Sequence, residues 1–426
     1  MSHRVPLCLL ALGLSLGSTA PLGAQLLRGP EAVLNAVRAG RQAAPDVAMA
    51  ADGRFVAVWV TGGAGGAPAN VMARLFSAEG VPRGAADLRV STSEAGFQGH
   101  PRVAMAADGR FVVVWSARAG AQGLSKVYGR LFRADGQPSG QRFLLGTGAR
   151  EQFEPDVART PDGKFVAAWT EYDGGVDPET GDPTTNVLAR RFGADGKPAA
   201  KDWIAAGGRL YQYSPAVAMN AAGAFAIAFE QLAAPVGTAA LDNDVFGLIY
   251  GADAKLRAAV SLPAAVDKTQ TQAAVALAAD GTCLLAWADS QGDLVQEDFW
   301  SSPSGVLAQR FDLKGVRIGP LVHVNTSTLD VQSEPVLTLA PDGGFLVAWT
   351  SAGWQDGDRQ GVFAQRFAAS GAKIGLETSL ASWRAGNQNA PAVASSPQGL
   401  GVVAWQSAGS DGDDLGVAGR RVSLKP

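Results

Sequence analysis

The chain has 426 residues, 47% of them hydrophobic, with 36 Lys+Arg against 39 Asp+Glu and a formal charge of −3. This excludes the strongly basic balance of most nucleic-acid binders and the low hydrophobicity of a disordered chain. Two cysteines exclude a disulfide scaffold, and 53 glycines with 23 prolines point to many turns rather than long helices.

Residues 1–24 read as a secretory signal peptide. Arg4 supplies the positive start, Leu7 to Leu16 is apolar, and Pro21-Leu22-Gly23-Ala24 offers a small-residue cleavage site. A retained anchor is the alternative. No later stretch has the 18 or so apolar residues of a membrane helix, so none is expected after cleavage, and the location is secreted or periplasmic. The one cysteine left, Cys283, lies in the apolar run Cys283-Leu284-Leu285-Ala286-Trp287 and is expected as a buried free thiol.

Residues 25–426 repeat one pattern. Ala44-Pro45-Asp46-Val47-Ala48-Met49-Ala50-Ala51-Asp52-Gly53-Arg54-Phe55-Val56-Ala57-Val58-Trp59 recurs almost unchanged from His100 to Trp115, and more loosely five times afterwards. A glutamine stands before each copy: Gln42, Gln98, Gln152, Gln212, Gln270, Gln332 and Gln388, spaced by 56, 54, 60, 58, 62 and 56 residues. Each copy holds a short strand after the proline, a glycine-containing turn, an unbroken apolar strand, a third strand such as Val71–Phe76, and a weaker fourth. Four antiparallel strands repeated seven times predict an all-β, seven-bladed β-propeller. The last copy ends after its third strand, and Glu31–Asn35 stands before the first glutamine as a fourth strand does before the others. The N-terminal strand is therefore expected to complete the last blade and close one domain, with no exposed edge left over.

Small residues (Ala48, Ala104, Ala158, Ala218, Ala276, Thr338 and Ala394) share one position of the innermost strand, where the blades converge. Trp59, Trp115, Trp169, Trp287, Trp349 and Trp405, with Phe229 in the fourth copy, end the second strand and are expected between blades as core.

The variable loops fall on one rim, the usual place for function on a rigid scaffold. Tyr172, Tyr211, Tyr213, Trp300, Trp354 and Trp383 lie there. They either stack on sugar or peptide, or pack the loops onto the disc. The seven glutamines lie near the mouth of the central channel. Sevenfold recurrence suits backbone hydrogen bonding by the amides, the alternative being a ring that contacts a ligand. Asp356, Asp358, Asp411 and Asp413 occupy equivalent Asp-Gly-Asp loops. These suit either calcium or solvated turns, and no cofactor is required. His100 and His323 fall in different copies, and neither a Gly-x-Ser-x-Gly elbow nor a zinc set is visible. A carboxylate pair for glycoside cleavage cannot be picked out among 39 acids.

Gln332-x-x-Pro335, Asp342-Gly343-Gly344-Phe345-Leu346-Val347-Ala348-Trp349, Asp356-Gly357-Asp358, Gly361-Val362-Phe363-Ala364-Gln365-Arg366-Phe367 and Gly371 resemble a repeat of secreted bacterial proteins. The resemblance covers the whole mature chain and implies a repeat propeller that often accompanies calcium-binding or adhesin-like modules, with no catalytic residues to carry over. The fourth copy departs most, with Ala222-Gly223 for Asp-Gly and Phe229 for Trp. The leading expectation is a secreted, monomeric binding or surface-interaction module for a glycan or protein. The alternatives are an extracellular carbohydrate hydrolase using rim carboxylates, and a purely structural surface protein.

Overall fold

The computed structural model describes residues 26–62, 69–92, 96–118, 120, 123–176, 181, 183–208, 210–233, 242–262, 269–290, 304–327, 331–352 and 355–425. The signal segment 1–24, Phe299, Trp300 and Trp354 lie outside them. The chain is all-β: no helix occurs among the described residues.

Each repeat forms an antiparallel meander. The innermost strands are Arg41–Met49, Gln98–Met105, Gln152–Arg159, Tyr211–Met219, Gln270–Leu277, Gln332–Leu339 and Gln388–Ser395. Four-stranded sheets form in the first, second, fifth, sixth and seventh repeats, while the third and fourth join into one eight-stranded sheet. That join is a single parallel bridge between Thr185 and Tyr211. Between the first and second strands, Gly53 at φ 87° occupies the left-handed position that closes the turn begun at Ala50.

The second strands are the core. Phe55, Val56, Ala57, Val58 and Trp59 are each at most 2% exposed. Burial on both faces is what an unbroken apolar run requires. The six tryptophans and Phe229 are buried as expected. A stacked ring pair runs beside them, with centroids 4.6 Å apart for Phe55–Phe76 and 4.7 Å for Phe165–Phe192. Cys283 takes the phenylalanine's place opposite Phe311. Its thiol is free, buried, and pushed up to about 12 by burial.

Each hydrophobic cluster joins two consecutive repeats. Val58 and Val71 of the first pack with Val113 and Trp115 of the second. Ala348 and Val362 of the sixth pack with Val403 and Trp405 of the seventh. Another cluster joins the two ends of the chain, with Val47, Phe55 and Trp59 against Val402, Ala404 and Val417. The N-terminal strand spans Leu27–Val33, beginning earlier than the expected Glu31, and pairs antiparallel with Leu415–Ser423. Its register shifts between Arg28 and Ala32, around Pro30, which has no N–H to donate. Leu26 and Leu34 at its ends are buried in different clusters.

Arginines of the third strands tie neighbouring repeats. Arg74 donates to the Leu34 carbonyl at 3.1 Å, Arg130 to Val90 at 2.9 Å, Arg190 to Leu145 at 3.1 Å and Arg420 to Leu380 at 3.1 Å. On the variable rim, Asp358 Oδ2 accepts from Gly386 N at 2.8 Å, so second-to-third and fourth-to-first loops do meet there.

Candidate functional site: the axial mouth

Two positions after each glutamine, the innermost strand bulges. Ala44, His100, Glu154, Ser214, Gln272, Glu334 and Ala390 all have φ between 48° and 57°. The pairing register shifts at each of them, as between Gly99 and Arg102 or Tyr213 and Ala216. Positive φ in a non-glycine residue costs energy and persists only where its surroundings enforce it. Here neighbouring repeats do so by accepting the bulge N–H. Ser116 Oγ accepts from Glu154 N at 3.1 Å, Glu154 Oε2 from Ser214 N at 3.2 Å, Gln272 Oε1 from Glu334 N at 2.6 Å, and Glu334 Oε2 from Ala390 N at 2.8 Å. Gln406 Oε1 closes the series by accepting from Ala44 N at 3.3 Å.

The bulge residues line a cavity of about 480 Å³ at the variable-rim end of the axis. They differ from copy to copy, so the mouth is chemically asymmetric although its backbone repeats. Its polar side is built by the second to sixth repeats, with His100, Glu154, Ser214, Gln272 and Glu334. Glu230 joins them from the position after Phe229, paired across the hairpin with Tyr213. Glu230 is buried, accepts hydrogen bonds from Gln272 N and the Tyr213 hydroxyl, and is pushed up to about 7, chiefly by burial. The enclosing wall lowers the His100 pKa, opposed by the charge of Glu154. Deeper in the channel wall Arg102 stands between Asp46 and Asp156, its Nε 4.0 Å from Asp156 Oδ1. Burial pushes Asp46 up to about 7 and also raises Asp156, with Arg102 opposing both shifts.

Three of the aromatic candidates converge here. The Tyr211 and Tyr213 rings lie 4.9 Å apart. Tyr172 packs on Phe153 at 5.2 Å and acts electrostatically on Tyr211, as does Glu154. Burial pushes the Tyr211 hydroxyl up to about 12 and raises Tyr213 as well. Trp383 is not part of this group. It is 46% exposed on the rim, with its indole N–H donated to the Ala408 carbonyl at 3.0 Å.

The seven glutamines are buried in the wall, 0–4% exposed. The residues facing the mouth are those two positions on. Gln98 and Gln332 accept the indole N–H of Trp115 and Trp349, each at 2.9 Å. Gln42 and Gln388 instead donate to loop carbonyls, Gly40 O at 3.0 Å and Ala385 O at 3.0 Å. Gln152 donates to Glu171 at 2.6 Å, Gln212 to Gln231 at 3.0 Å, and Gln270 accepts from Val245 N at 3.3 Å.

The aspartate loops serve as ties between segments. Asp358 holds Gly386 N as described, Asp413 Oδ2 accepts from Gly40 N at 2.9 Å, and Asp411 Oδ2 accepts from Asn35 Nδ2 at 2.9 Å. Asp356 is buried, and one of its oxygens has no partner. No group of three His, Cys, Asp or Glu placed to hold a metal occurs among the described residues.

Sequence reasoning set His100 aside as one of two histidines in different copies and passed over Glu154, Glu230, Gln272 and Glu334. A signal for all but Glu230 was present: one variable position, just before the proline in most copies, inside an otherwise constant pattern. Glu230 is the only acid among the residues that follow the tryptophans and Phe229.

No family model matches the chain, and neither does any curated protein. Solved structures do. An ulvan lyase of polysaccharide lyase family PL25 is 11% identical and superposes with a TM-score of 0.56, covering 95% of each chain. A Dyadobacter fermentans protein of unknown function is 12% identical at a TM-score of 0.54, covering 77% of this chain and 95% of its own. The Penicillium chrysogenum α-L-arabinanase, solved with arabinobiose, is 12% identical at 0.50, covering 79% and 97%. At such identities the likeness is one of fold.

Proposed function

We propose that this protein is a secreted seven-bladed propeller that cleaves a neutral glycan by hydrolysis at the axial mouth. The blade count is supported by the clusters that link each repeat to the next and the last to the first. Secretion rests on the signal-like residues 1–24. The observation that carries the activity is Glu230. A buried carboxyl pushed up to about 7 stays protonated where ordinary carboxylates ionise, as a general acid must. Glu154 and Glu334, on bulges of the same mouth, supply the carboxylate partner. Tyr172, Tyr211 and Tyr213 supply ring faces for a sugar. The solved structures that share this fold include an arabinanase and an ulvan lyase.

Neutrality of the substrate follows from charge. Five acids line the mouth against one arginine and one histidine of lowered pKa; burial holds Asp46, Asp156 and Glu230 toward their neutral forms, so the like charge an anion would meet is that of Glu154 and Glu334. A polyuronate would meet like charge there, whereas elimination from a uronate needs its carboxylate neutralised.

The test is the mature chain, residues 25–426, incubated with arabinan and with ulvan. Release of reducing ends from arabinan or another neutral polymer, lost in Glu230→Gln, is the expected result. An unsaturated uronate product would overturn the reading in favour of elimination. Saturable glycan binding without cleavage would make the protein a binding module, the reading that exposed Trp383 favours.

A further inference from the structure

The other end of the axis, on the side of the short turns, opens into a second cavity of about 770 Å³. Its collar is one equivalent position of the innermost strands: Met49, Met105, Arg159, Met219, Leu277, Leu339 and Ser395, each paired with the residue four before the tryptophan, or Phe229, of its second strand. Five of the seven are large and apolar. Methionine adapts its shape to apolar ligands more readily than branched side chains do.

Besides the small Ser395, Arg159 is the exception and the collar's one charge. It is only 9% exposed, donates Nε to the Gly163 carbonyl at 2.9 Å, and leaves Nη1 buried with no partner. The other polar groups of this cavity are engaged. Asn220 donates to Ala278 O at 3.1 Å and accepts from Ala222 N and Ala224 N at 3.1 Å. Thr338 and Ser395 bond each other at 2.7 Å, and Ser396 Oγ accepts from Leu400 N at 3.3 Å. Asp280 is held by Thr282 and the charge of Arg310, whose Nη1 donates to the Ala369 carbonyl. Asp108 and Asp162 act on its charge from the neighbouring turns, but neither bonds Nη1, and a buried guanidinium N–H without a partner is costly, a cost that falls when an acceptor arrives. Burial accordingly lowers the Arg159 pKa to about 10.

We propose that this turn-side mouth is a binding site for an amphipathic monoanion, its carboxylate on Arg159 and its aliphatic part against the methionine–leucine collar. A guanidinium matches a carboxylate in shape as well as charge.

The probe is octanoate, with acetate and octanol as half-ligands, and the variant is Arg159→Met. Methionine already fills this position in three repeats, so the variant should fold and, without ligand, melt at a higher temperature. Wild type is expected to bind octanoate saturably by calorimetry and to gain melting temperature. Acetate and octanol should each bind at least ~10-fold more weakly, and Arg159→Met should lose a similar factor for octanoate. Equal octanoate binding by Arg159→Met, equal binding of octanol by wild type, or no saturable binding would each overturn the proposal.

Discussion

The indole N–H of Trp115 donates 2.9 Å to the Oε1 of Gln98, seventeen residues away, and both side chains are at most 2% exposed. Trp349 and Gln332 repeat the bond at the same separation. In these two repeats the glutamine gives an indole buried between sheets the acceptor that water cannot provide.

Gln98→Leu keeps the volume and removes the acceptor. A buried donor left unpaired costs about 1–3 kcal/mol, so the urea midpoint should fall accordingly. A midpoint matching wild type would show that the bond contributes nothing net.

Deleting residues 25–44, which takes away the Leu27–Val33 strand together with the first residues of the innermost strand Arg41–Met49, exposes the Leu415–Ser423 edge and removes Leu26 and Leu34 from two separate clusters. The truncated chain should aggregate, because an unpaired edge is a template for association. A shorter truncation ending at Arg38, supplied with a synthetic peptide of the missing residues, should regain soluble monomer. A stable, monodisperse truncation in light scattering would refute closure by mixed termini.

Asp46 sits in the channel wall with its carboxyl pushed up to about 7 from 3.8. Its folded pKa lies above its unfolded value, so its contribution is fully favourable below the unfolded pKa. That contribution is lost as pH rises through about 7. Asp46→Asn keeps an acceptor for Val103 N, now 2.7 Å from Oδ2, and removes the titration. Its melting temperature should exceed that of wild type at pH ~8 and match it at pH ~4. An equal difference at both values would mean that Asp46 does not titrate this way.

Glu230, raised from 4.5 to about 7, has the same sign for stability. As a general acid it must be protonated, so glycan cleavage should fall as pH rises through about 7. Glu230→Gln should cut kcat by a factor of about 10² or more while its circular dichroism stays that of wild type. A pH profile flat through this range would remove Glu230 from the chemistry.

Much of the architecture was legible in the amino-acid order. Phe55-Val56-Ala57-Val58-Trp59 is apolar at every position because both faces of that strand are covered, and no amphipathic element looks like that. Asp52-Gly53 marks its turn because only glycine takes φ 87° cheaply. The missing last strand and the surplus first one matched because Leu27–Val33 pairs on Leu415–Ser423 and covers that edge.

The mouth was not legible for an equally physical reason. Side chains along a regular strand alternate between faces, but the bulge at His100, Glu154, Gln272 and Glu334 breaks that alternation, and its direction depends on acceptors in neighbouring repeats. Tyr213 meets Glu230 through hairpin register, but Glu154 reaches Ser214 only because the third repeat packs on the fourth, 60 residues later in the chain. Residue order thus determined the repeated meander, its core and its closing strand through local periodicity. Which acids and phenols share one desolvated site was decided by the packing of repeats around the axis, since burial and neighbouring charge, which set a pKa, exist only once distant strands converge.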